Sequence, residues 1–149
     1  MIVSKTLKKH RFVFATIAGA VVIIMIIAGL FSIDNATNDM IVKYIETLGW
    51  QIDSVPSEIT HLTLPEHFDA VYETYSAVQT HSGFPFADFK GKRVTRYTYN
   101  VLNHKNSKTS KVTAGVFVYE NTIIGAEISS GDMNGFMHAI TETANISSD

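Results

Sequence analysis

The sequence predicts an α+β protein: an N-terminal transmembrane helix, then a small domain whose helices pack on one face of an antiparallel sheet. Three observations carry this. Residues 12–33 form a run of 22 residues without a charge. Residues 93–129 alternate between polar and apolar side chains in three stretches separated by a polar loop and a tight turn. Ahead of them, two stretches repeat apolar residues at helical spacing.

At about 1.5 Å per residue the apolar run covers roughly 33 Å as a helix, enough for a hydrocarbon core of about 30 Å. It shows no polar stripe, as a helix on a soluble core would. Lys5, Lys8, Lys9 and Arg11 precede it and Asp34 and Asp39 follow it. Basic residues resist translocation, so residues 1–11 are expected in the cytoplasm and residues 34–149 outside, on a single membrane span. A cleaved signal peptide also has a basic start and an apolar middle. Its apolar region is usually about 7–15 residues and ends in a small-x-small site. The longer run here, with no Ala-x-Ala near its end, favours an uncleaved anchor. The chain has no cysteine, which excludes disulfides, thiolate chemistry and a lipoprotein anchor.

Residues 34–149 make one domain, large enough for a core of its own. Four of the 12 basic residues precede the apolar run and none of the 14 acidic ones does, so this part carries 8 basic and 14 acidic side chains, a net charge of −6. That argues against nucleic acid and against anionic lipid as main partners.

Asn35, Thr37 and Asn38 offer caps for a helix over 39–48, with Met40, Ile41, Tyr44, Ile45 and Leu48 on one face. Gly49 is placed to stop it. Residues 50–55 suggest a short strand, 56–58 a turn and 59–64 a second strand. Pro65 suits the first turn of a helix running to Gly83, whose stripe is Phe68, Val71, Tyr72, Tyr75, Val78 and Gln79. Residues 84–91 form an aromatic loop. Strands are expected over 93–102, 111–119 and 122–129, joined by a polar loop and the tight turn at Glu120-Asn121. A last short helix over 136–143 would turn Phe136, Met137 and Ile140 inward. The order is α-β-β-α-β-β-β-α.

Certain of these residues form a pattern: Gly49-Trp50, Leu64-Pro65, Phe68, Val71-Tyr72, Tyr75, Gln79, Gly83-Phe84, Gly91-Lys92, Arg96-Tyr97-Thr98-Tyr99, Asn103, Ile124-Gly125 and Gly135-Phe136-Met137-His138. Together they resemble the bacterial family called domain of unknown function 4830. The resemblance implies a Gram-positive, single-pass, extracytoplasmic protein and lends no mechanism, because the family has no assigned activity. Family members often show Gly-Gly-Asp-Val-Cys-Ser where this chain has Gly125-Ala126-Glu127-Ile128-Ser129-Ser130. The carboxylate is kept in kind and the thiol is lost.

Four groups of residues invite chemistry. His61, Glu66, His67 and His81 lie close in sequence, but without His-Glu-x-x-His or another ligand spacing they read as surface histidines, and no metal is assigned. No Gly-x-Ser-x-Gly is present, and Ser129-Ser130 with His138 is not a recognisable hydrolase set. Arg96, Tyr97 and Tyr99 with Glu127 form the strongest candidate. If the strands share a face, Arg96 and Glu127 become cross-strand neighbours, either as an ordinary salt bridge or as a concave face where Arg96 meets an acidic group and tyrosines line the pocket. His138 is added to that binding set. Phe84, Phe86 and Phe89 make a candidate contact loop if exposed together.

No convergent catalytic set emerges and no cofactor is implied. The expected function is non-enzymatic: a membrane-anchored extracytoplasmic domain that binds a protein or peptide partner. An envelope enzyme with Glu127 or His138 as general base is the alternative. A structural accessory subunit, marked by an apolar patch on 39–48, is the third.

Overall fold

Strand alternation and turn chemistry build the frame. The computed structural model describes residues 35–132 and 135–142. The basic leader 1–11, the apolar run 12–33 and the tail from 143 lie outside them. Among the described residues no helix is long and apolar enough to cross a membrane.

The elements run α1 (Asn35–Thr47), β1 (Glu58–Thr63), α2 (Ala70–His81), β2 (Arg93–Asn100), β3 (Val112–Tyr119), β4 (Thr122–Ser130) and β5 (Met137–Ala139), with a 3-10 turn at Phe86–Phe89. The five strands form an antiparallel meander in the order of the chain. Glu120 and Asn121 take positive φ, 44° and 61°, as a two-residue hairpin turn matching the sheet's twist requires. Where β3 meets β4 the register shifts. Phe117 faces Gly125 but Val118 faces Ile123, so Ile124 is the extra residue of a bulge.

Period two sorts the strand residues onto two faces. Tyr97, Tyr99, Ala114, Val116, Ala126 and Ile128 pack on one side with Ile41 and Ile45 of α1, Trp50 and Ile140. Val94, Phe117 and Ile124 pack on the other with Leu64 and Phe86, and Tyr72 and Tyr75 of α2 lie against them. The helices therefore cover opposite faces, which corrects the expectation of one. Both faces of this sheet carry apolar rows, and each needs a cover of its own. Ile41 and Ile45 are fully buried, each contributing about 1.5–3 kcal/mol by the usual transfer scale.

Three further expectations are corrected. Residues 50–55 form no strand, only an isolated bridge from Ile52 to Val101. Trp50 is instead a core anchor, its indole N–H donating to Ile140 O over 2.7 Å. The second helix starts at Ala70, not at Pro65. Leu64 still exchanges backbone bonds with Lys92 and Gly91, which holds the chain extended, and Asp69 caps the helix by accepting from Tyr72 N at 2.9 Å. The predicted final helix is strand β5. Met137, His138 and Ala139 alternate, and their pairing with Ser129, Ile128 and Glu127 satisfies the edge of β4. In so short a segment the helical and strand periods are not distinguishable by pattern.

Candidate functional site

The central strands place a carboxylate under α2. In the ladder Thr98 faces Gly115, and Gly115 faces Glu127. Arg96 lies two residues along β2 on the same face, and glycine at 115 leaves the space above β3 open. Arg96 reaches through that gap, and its Nη2 donates to Glu127 Oε1 at 2.8 Å. Tyr75 and Gln79 sit one turn apart on the inner face of α2. The Tyr75 hydroxyl donates to Glu127 Oε1 at 2.6 Å, and Gln79 Nε2 donates to Oε2 at 3.0 Å. Glu127 is 0% exposed, so three donors hold a fully buried charge.

Burial, then the neighbouring Glu127 charge, raise the Tyr75 pKa well above the usual phenol range, so Tyr75 stays protonated and keeps donating. Burial works against the charge of Arg96, but Glu127 and Tyr75 outweigh it and the guanidinium holds its proton more tightly. The guanidinium also lies 5.7 Å from the centroid of the Phe117 ring.

Arg96 is not spent by this network. It has five N–H donors. Nη2 serves Glu127 and Nη1 reaches Thr98 Oγ1 only at 3.4 Å, while Nε is buried without a partner and out of reach of a ligand. The side chain is 28% exposed and stands where two hollows meet. One is an apolar cleft of about 380 Å³ between α2 and the sheet, walled by Leu62, Tyr72, Tyr75, Phe86 and Phe117 and rimmed by Val71 and Met137. The other is a wider polar shelf of about 830 Å³, which includes the side chains of Glu58, Thr98, Lys111, Thr113, Ser129 and Asp132. Arg96 and Met137 border both.

Of the residues singled out in the sequence, Arg96 and Glu127 are brought together. Tyr97 and Tyr99 are not with them. They point to the α1 face, as alternation along β2 demands, and the Tyr99 hydroxyl donates to Asn38 at 3.0 Å. The tyrosines that line the cleft are Tyr72 and Tyr75 of α2. Phe84, Phe86 and Phe89 make no exposed patch. Phe86 is in the core under α2, Phe84 meets Tyr44 on the α1 side, and Phe89 packs on Tyr119. Gly115 was the residue most open to discovery by sequence, since a glycine inside a Val-rich strand signals close approach of another group.

His138 also stands apart from Glu127. It faces Ile128 across the ladder and joins a stack of rings with His104, Phe136 and Trp50, the closest pair being His104 and Phe136 at 4.8 Å between centroids. The near-parallel imidazoles, 26° apart, do not converge on a point. Among the described residues no three His, Cys, Asp or Glu side chains are placed to hold a metal ion.

The stack has a pH consequence. His104 Nδ1 accepts the Asn106 backbone N–H at 3.1 Å, which requires that nitrogen unprotonated. Burial first, then His138 and Lys105, lower the His104 pKa in the folded state. The unfolded chain, near about 6.5, takes up the proton more readily. This contribution to stability is therefore full above about pH 6.5 and is lost as pH falls toward the lower folded value. Thermal melts between pH 8 and pH 5 are expected to show falling stability, with a shallower fall in His104→Asn, whose side chain keeps an acceptor. An unchanged pH profile in that variant would remove His104 as the cause.

Fold and site together define a small two-faced α+β domain with a buried ion pair at the floor of an open groove. The profile of the family described as Domain of unknown function (DUF4830) matches residues 44–128, more than half of the chain. The chain belongs to that family. No curated protein and no solved structure matches it.

Proposed function

We propose that this is a membrane-tethered extracytoplasmic module that binds a polypeptide partner in the groove between α2 and the sheet. The carrying observation is the groove itself. It couples an apolar cleft to a hydrogen-bonding shelf through one partly exposed arginine whose Nη1 holds only a 3.4 Å contact, the mix of apolar walls and few polar groups typical of binding sites. Val71 and Met137 at its rim are 71% and 40% exposed, two of the five large apolar side chains left open to solvent among the described residues. The tether is the apolar run 12–33 with its basic leader.

A non-catalytic role fits the network. Glu127 has no exposure and every donor around it is directed inward, so it is unsuited to take a proton from a substrate. His138 lies on the other face.

Cross-linking and recovery of the tagged full chain from its own membranes tests the reading. Wild-type protein is expected to bring down a stoichiometric partner, and Val71→Gln with Met137→Gln is expected to lose it while keeping the wild-type melt. Retention of the partner by that variant would refute the groove as the binding surface.

A further inference from the structure

We infer that the groove takes an extended peptide that presents one large apolar side chain to the cleft and carries net positive charge beside it. This rests on the reading of the groove as a polypeptide site. The cleft, about 380 Å³, has room for an anchoring side chain such as leucine or phenylalanine and not for a whole amphipathic helix. Its walls come from both sides, Tyr72 and Tyr75 of α2 and Leu62 and Phe117 of the sheet, so a side chain laid in this open groove is flanked by apolar groups on two sides.

The neck supplies the backbone contact. Arg96 Nη1 holds only the 3.4 Å contact to Thr98. It is positioned to donate to a main-chain carbonyl next to the anchor, and the hydroxyls of Thr98, Thr113 and Ser129 extend that hydrogen-bonding floor. The charge of the shelf decides the flanks. Arg96 and Glu127 cancel as a pair. What remains around the shelf is Glu58 and Asp132 against Lys111, one negative charge in excess. Residues 34–149 as a whole carry −6. A cationic flank is attracted by both, and an acidic one is repelled.

The test uses the full chain in phosphatidylcholine nanodiscs, with empty nanodiscs as the baseline. The probe is a fluorescent hexapeptide, Gly-Lys-Leu-Lys-Ser-Gly, read by anisotropy. Two companions replace leucine by alanine, or both lysines by glutamate. Losing three buried carbon atoms is expected to weaken binding by about tenfold or more. The glutamate peptide is expected to bind at least about tenfold more weakly at roughly 50 mM salt, with the gap closing at roughly 300 mM. Val71→Gln with Met137→Gln is expected to bring the leucine peptide down to the level of the alanine one. Equal binding of the leucine and alanine peptides, equal binding of the lysine and glutamate peptides, or indifference to the double variant would each overturn the proposal. If no peptide binds, yet the cross-linked partner still depends on Val71 and Met137, the ligand class is wrong and the groove stands. If the partner is indifferent to those residues as well, both fall.

Discussion

Glu127→Ala is expected to lower folding stability by about 3–5 kcal/mol, the range for stranding one member of a buried ion pair. Against a total of about 5–15 kcal/mol for an ordinary domain, that is a large share. The substitution leaves the Arg96 guanidinium, the Tyr75 hydroxyl and the Gln79 amide without their shared acceptor, in a place where water replaces it poorly. Arg96→Met is expected to cost less, roughly 2–3 kcal/mol, because Tyr75 and Gln79 still solvate the carboxylate. The informative variant is the double one. Arg96→Met with Glu127→Leu removes both charges and fills the space, and replacing a buried pair by apolar groups is often close to neutral. It is expected to be more stable than Glu127→Ala alone. Trp50, the single tryptophan and buried in the α1-side core, gives the fluorescence signal for urea titrations of each variant. With Glu127→Leu as the matching single, a double variant as unstable as the Arg96→Met and Glu127→Leu losses added together would show that Arg96 and Glu127 are not coupled.

Much of the sheet was legible because its strands obey one simple rule over long stretches. Residues 93–102, 111–119 and 122–129 alternate cleanly, and the observed β2, β3 and β4 differ from these bounds by a residue or two. The same alternation holds the reason that the tyrosines were misplaced. Tyr97 and Tyr99 share a strand with Arg96 but are odd to its even, so no twist of the sheet brings them to its side. Short segments were not legible. Residues 137–139 satisfy a helical and an extended pattern equally well, and a tertiary demand, the open edge of β4, decided between them. The start of α2 went wrong for a related reason. Pro65 fits a first helical turn locally, but the backbone bonds of Leu64 to Gly91 and Lys92 are made by residues far along the chain. The Arg96–Glu127 pairing was reachable as a hypothesis because both lie on strands two apart. Tyr75 and Gln79 were seen only as part of a helical stripe, since nothing local tells which sheet residue a helix will meet. What sorted the network from an ordinary surface salt bridge was the burial of Glu127, which sequence does not display.

Gly115→Ala is expected to destabilise the domain by about 2–4 kcal/mol, and its sign is the point of interest. On backbone grounds alone the change should help, since glycine inside a strand costs about 0.5–1 kcal/mol relative to alanine. Space reverses this. A Cβ at position 115 would sit against Glu127 Oε1 and Arg96 Nη2, closer than real Cβ atoms approach any neighbour. The backbone has nowhere to retreat, because β3 is the central strand and position 115 faces Thr98 on one side and Glu127 on the other. The carboxylate or the guanidinium must therefore move, and with it the bonds to Tyr75 and Gln79. The decisive comparison repeats the substitution in the Arg96→Met, Glu127→Ala background, where the atoms that a methyl would strike are gone or flexible. There Gly115→Ala is expected to be neutral or to stabilise by up to about 1 kcal/mol, as strand propensity dictates. An equal loss in both backgrounds would mean that the methyl clashes with something other than the ion pair, and that glycine at 115 is not what makes room for the network.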